Sequence, residues 1–179
     1  MANFMELAPR AQRQIIRRME PLEPPALHQA QAAYGWLELG NVEEAFAELE
    51  RLPEDLQLLP AVQAVRLDCL MAAKDWNAAV KLAQVLCGQW AEEPGLWLHH
   101  AYAARRCAGG SIEAAYELLA PCVERFPEEW LIPYNVACYL CQMERLDEAR
   151  AMLEMARSKG GERVDTMAKD DEDLAPLNL

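Results

Sequence analysis

The stretch Tyr134-Asn135-Val136-Ala137-Cys138-Tyr139, followed by Leu146-Asp147-Glu148-Ala149-Arg150, decides the fold. Its second phrase returns three times upstream: Gly40-Asn41-Val42-Glu43-Glu44-Ala45, Lys74-Asp75-Trp76-Asn77-Ala78-Ala79 and Gly110-Ser111-Ile112-Glu113-Ala114-Ala115. The closing alanines, Ala45, Ala79, Ala115 and Ala149, stand 34 to 36 residues apart. Four residues after each comes Leu49, Ala83, Leu119 or Leu153, and residues four apart share one helix face. Upstream of three of the alanines, Ala33, Ala103 and Ala137 supply a small residue on a preceding helix. Small residues where helices cross let the axes come close. The second copy has Leu67 at this position, so either the crossing there is wider or rotated, or the register of that helix shifts by one turn. Val42, Trp76, Ile112 and Leu146 share one repeat position and are expected to be buried between helices.

Punctuation by glycine and proline divides the chain further. Helix pairs are expected over 26–39 and 42–52, 60–73 and 76–89, 95–107 and 111–125, and 130–143 and 146–158. Gly40, Gly109-Gly110 and Gly160-Gly161 end helices, and Pro60 suits a first turn, where its missing amide proton costs nothing. Pro121 should kink or shorten the helix that contains it. Ahead of the pairs, residues 7–19 read as a solitary helix with Arg10, Arg13, Arg17 and Arg18 at helical spacing, broken by Pro21, Pro24 and Pro25. After them, 164–177 reads as an amphipathic capping segment. Val164, Met167, Ala168 and Leu174 form its apolar side, and Asp170 to Asp173 are expected in solvent. The domain reading is therefore 1–25 as helix and proline-rich linker, 26–158 as four repeats (26–59, 60–93, 94–129 and 130–158), and 159–179 as an acidic cap.

The composition suits an all-α chain. Hydrophobic residues make up 53%, enough to fill a core, and Ala and Leu dominate them. The formal charge is -12, and residues 1–25 hold four arginines against three acids, so the acid excess lies in the repeats. Such a body repels nucleic acid and anionic membrane and favours a neutral or basic partner. No apolar run approaches the roughly 18 residues of a membrane span. The start, Met1-Ala2-Asn3-Phe4-Met5-Glu6, has no basic segment followed by an apolar one, so a cytoplasmic protein is expected. The six cysteines fall mostly at apolar helical positions and read as reduced core thiols.

The period, the alanines and the fourth copy resemble the tetratricopeptide repeat, over residues 26–158. That resemblance implies a right-handed α-solenoid of about four helix pairs, with an N-terminal helix and a C-terminal cap, whose first helices line a concave groove. It implies a protein-interaction scaffold that takes a peptide or helix of a partner there. The groove positions are Tyr34, Asp68, Met71, Trp97, His100, Tyr134, Asn135 and Cys138. Trp97, Tyr34 and Tyr134 are the candidate anchors, since aromatic rings bury area at low entropy cost. The alternative for each ring is packing against neighbouring helices. The family's clamp for chaperone C-termini needs lysines, asparagines and an arginine, and only Asn135 matches it. Two rival functions share the fold: a chaperone of the kind that holds secretion translocators, and an assembly module that self-associates.

Enzymatic and metal chemistry are not expected. Phosphate-cradling glycine loops, GxSxG and HExxH are all absent from the sequence. Glu43-Glu44, Glu92-Glu93 and Glu128-Glu129 sit at helix starts, where carboxylates meet the positive end of the dipole. Cys138-Tyr139-Leu140-Cys141, with Cys107 and His99 or His100, could in principle supply zinc ligands. This CxxC lies inside a predicted helix and lacks a second CxxC, so neither a metal nor a cofactor is expected.

Overall fold

Asn41, Asp75 and Ser111 occupy one position of the repeated phrase, and each opens a helix in the computed structural model, which describes residues 22–178. Their side-chain oxygens accept from the amides of Glu44 (3.2 Å), Ala78 (3.1 Å) and Ala114 (3.1 Å). Each contact satisfies a donor that a helix start leaves over. The fourth copy has Arg145 there and no side-chain cap; its guanidinium instead holds Glu148 at 2.6 Å. The residue before each N-cap turns left-handed at Gly40, Lys74 and Glu144, with φ of 76°, 58° and 59°. In the third copy Gly109 takes this conformation, and Gly110 follows it where a Cβ would collide with the Ala104 carbonyl.

The helices run α1 (Ala26–Glu38), α2 (Val42–Glu50), α3 (Glu54–Gln57), α4 (Pro60–Ala72), α5 (Trp76–Gln89), α6 (Pro94–Arg106), α7 (Ile112–Leu119), α8 (Cys122–Arg125), α9 (Leu131–Gln142), α10 (Leu146–Gly160) and α11 (Glu162–Lys169). A 3-10 helix, Glu172–Leu177, closes the described chain. Among the described residues there is no strand, and no helix is long and apolar enough to cross a membrane. Seven of the expected helices form within about two residues of their predicted bounds. Pro121 divides the eighth into α7 and α8. The expected amphipathic segment divides too, into α11 and the 3-10 helix. The expected helix over 7–19 lies outside the described residues.

The described residues form two compact units, 22–99 and 100–178. In the first, α1 packs on α2, α4 packs on α5, and α1 and α2 both meet α4. In the second, α9 packs on α10 and α7, α11 packs on α10, and the 3-10 helix lies on α9 and α10. The marker alanines and the apolar residues four positions after them are fully buried. Ala33, Ala103 and Ala137 are as well, and so is Leu67. Val42, Trp76, Ile112 and Leu146, expected in the core, are only half-buried, because each stands at the first turn of its helix, at the rim of its hairpin.

Candidate functional site

Tyr34 on α1 and Asp68 on α4 are 34 residues apart, one repeat length, and the structure joins them. The Tyr34 hydroxyl donates to Asp68 Oδ2 at 2.8 Å. Asp68 Oδ1 faces His99 Nε2 at 3.4 Å, and both side chains are buried. That distance is too long for a strong hydrogen bond, so burial dominates both groups. Burial pushes the Asp68 carboxyl up to about 7, with the Tyr34 hydroxyl pulling it partly back. It pushes His99 down to about 4, opposed by the Gly95 backbone beside the ring. At neutral pH the imidazole is uncharged. Met71, at the end of α4, is buried as well. Trp97 is half-buried, and its indole N–H donates to the Ala91 carbonyl at 2.8 Å.

The second unit repeats the tyrosine–aspartate device at its end. Tyr134 on α9 is buried, and its hydroxyl donates to Asp171 Oδ2 at 2.9 Å. The Cys138 thiol, one turn along α9, reaches the same oxygen at 3.6 Å. Asp171 Oδ1 accepts the amide of Asp173 at 3.0 Å, which opens the 3-10 helix. Three donors thus converge on one buried carboxylate, which is how a charge becomes tolerable inside a protein. Burial and the facing Asp171 hold the Cys138 thiol and the Tyr134 hydroxyl well above their ordinary pKa values, so both keep their protons to donate.

Asp171 and Asp173 overturn the expectation that 170–173 are solvated. Asp171 is buried, and Asp173 receives Arg105 of α6 at 2.7 Å and 3.3 Å in a forked contact. Gln142 donates to the Asp173 carbonyl and Arg150 to the Leu177 carbonyl. The reason lies in a change of period. A 3-10 helix has three residues per turn, so residues three apart eclipse one another. Asp171, Leu174 and Leu177 therefore share one face, and all three are buried.

Of the eight expected groove residues, the structure joins Tyr34 with Asp68, and Tyr134 with Cys138 through Asp171. Asn135 is half-buried and donates to the Leu131 carbonyl one turn back. His100 is buried, and burial lowers its pKa. Tyr34 and Tyr134 present little surface, since each hydroxyl is spent on an aspartate. The sequence reading missed Arg105, Asp171 and Asp173, and it considered His99 only as a metal ligand. The spacing of 171, 174 and 177 and the repeat-length step from tyrosine to aspartate were the available signals. Among the described residues no three His, Cys, Asp or Glu side chains are grouped to hold a metal ion. No protein-family model matches this chain, and no curated protein matches it either.

Proposed function

We propose that this chain is a protein-binding scaffold of the tetratricopeptide type, which holds a short segment of another protein against its first helices. The supporting pattern is the recurrence of one hairpin: a helix pair with a buried marker alanine and a left-handed residue in the turn, its second helix capped by a side chain in three of the four copies. One observation carries the binding part. Tyr134 and Cys138, two residues assigned to the groove from sequence, already hold a peptide segment, the chain's own Asp171–Leu177. A helix face that recognises a carboxylate and buries leucines has the makings of a peptide receptor. The reading gives the chain no chemistry of its own; it works by presenting a rigid, preformed surface.

The test uses the two half-buried groove residues, whose truncation spares the core. Wild type and a Trp97→Ala, Asn135→Ala double variant are used to recover partners from the source cell. A partner held by the first and lost by the second, with the helical signal and melting point of the variant kept, is the expected result. The same partners on both would place binding outside the groove positions and remove this reading.

A further inference from the structure

The 3-10 helix Glu172–Leu177 is bound as a ligand is bound. Its buried side chains, Leu174 and Leu177, follow the Asp171 anchor at three-residue intervals, while Glu172, Ala175 and Pro176 face solvent. Two of the three carboxylates of Asp171–Leu177 meet donors from other elements: Tyr134 and Cys138 for Asp171, Arg105 for Asp173. At the segment's two ends the backbone bonds are local, the Leu174 amide donating to the Asp171 carbonyl and the Asn178 amide to the Ala175 carbonyl. Pro176 supplies no amide, and α11 ends at Lys169 with only the exposed Asp170 before the Asp171 anchor. Its place is therefore set by side chains that reach across to α6 and α9, and by the Arg150 contact to its last carbonyl.

We propose that Asp171–Leu177 is an intramolecular occupant of the α9 face, and that this face binds partner segments of the same chemistry. Such a segment has two carboxylates two residues apart, a leucine directly after the second and another leucine three further on. The inference rests on the scaffold reading and adds its partner class and its regulation. The net charge of -12 argues for basic partners at long range. The contacts on this face argue the other way at short range, and contact distance decides what is seated there. A tethered segment competes at a high effective concentration, of order millimolar. A free segment therefore gains the site only when it binds better or when the tail is released. The tail sets a threshold for binding.

The probe is a fluorescein-labelled peptide with the sequence of residues 170–179. It is titrated into the full wild-type chain and into a full chain opened by Asp171→Asn and Leu174→Ala, changes that leave the α9 face intact. The opened chain is expected to bind roughly tenfold tighter or more, since the competing tail no longer closes the site. Adding Arg105→Gln to the opened chain should weaken the peptide again. Equal binding to the wild-type and opened chains, with helicity retained, overturns the proposal. Hydrogen exchange on the unaltered chain is a second arm that needs no variant. Amides of 172–175 and 177 must exchange well before those of α9, and equal protection would make the segment a fixed part of the unit and end the idea. A natural partner recovered equally by both chains overturns the tail's role while leaving the scaffold reading in place. Recovery by neither, both being folded, overturns both.

Discussion

Asp68 and His99 show what burial does to a pair of titratable side chains, and the consequence can be worked out by counting protons. Between about pH 4 and 6.5 the unfolded pair holds one proton, on the imidazole, because the ordinary values are 3.8 and 6.5. The folded pair also holds one, on the carboxyl, with values of about 7 and about 4. Equal proton numbers mean that the pair adds no pH slope to stability in that window. Removing either partner exposes the other. In His99→Gln the folded chain keeps the Asp68 proton that the unfolded chain has lost, so stability should fall as pH rises from about 4 to about 7. In Asp68→Asn the unfolded chain binds a histidine proton that the folded chain refuses, so stability should fall as pH drops from about 6.5 to about 4. Melting curves across this range should slope in opposite directions for the two variants, and parallel profiles would refute the assignment. A second test at this scale concerns Tyr134→Phe, which removes one of three donors on a buried carboxylate and keeps the ring. The expected loss is about 2 kcal/mol, read by denaturant unfolding of the full chain. A loss near zero would mean that water replaces the hydroxyl.

The hairpin turns are the elements on which sequence and structure agree best, for a local reason. A side-chain acceptor acts within a few residues, joined at Asn41 and Ser111 by an acidic first turn and a glycine and standing alone at Asp75, so these helix starts are legible without knowing what the helices pack on. Lys74 and Glu144 show what the same turn costs without glycine. Both hold φ near 60°, where a Cβ crowds the backbone. Lys74→Gly and Glu144→Gly should each stabilise the chain by about 1 kcal/mol, because the relief of crowding outweighs the extra freedom of the unfolded glycine. A thermal shift upward in each single variant is the check, and a downward shift would show that the lysine or glutamate side chain earns its place by another contact. In the C-terminal segment the expected apolar residues Val164, Ala168 and Leu174 are buried, but the place of its acids is not legible, for the opposite reason. Pro176 and the Asp171 cap favour the tighter 3-10 turn, which sets Asp171 on the face of Leu174 and Leu177. Only the contact with α9, distant in sequence, makes Asp171 a buried anchor rather than one more solvated acid.

Across the whole molecule, electrostatics act in opposite senses on an acidic segment at long range and at contact. The marker alanines made the helical pairs legible, because a repeat states its packing rule several times and chance does not. The charge on the seat of the 3-10 helix was not legible, because Arg105 and Asp173 are brought together by the fold and their forms of charge cancel in any composition count. A body of net charge -12 repels an acidic segment during approach, over distances of about a Debye length, roughly 8 Å at physiological salt. Once seated, the carboxylate of such a segment would lie where Asp173 does now, 2.7 Å from a half-buried guanidinium that salt screens far less. Association and dissociation should therefore respond differently to salt. For the chain opened at Asp171 and Leu174, the association rate of the acidic peptide should rise with added sodium chloride, while its dissociation rate changes little. Stopped-flow fluorescence at several salt concentrations separates the two. A basic peptide should show the reverse, with association slowing as salt is added. An association rate for the acidic peptide that falls with salt would mean that the local field around Arg105 and Arg150 extends beyond the contact and steers the approach. In that case net charge is the wrong guide to this protein's partners, at long range as well as at contact.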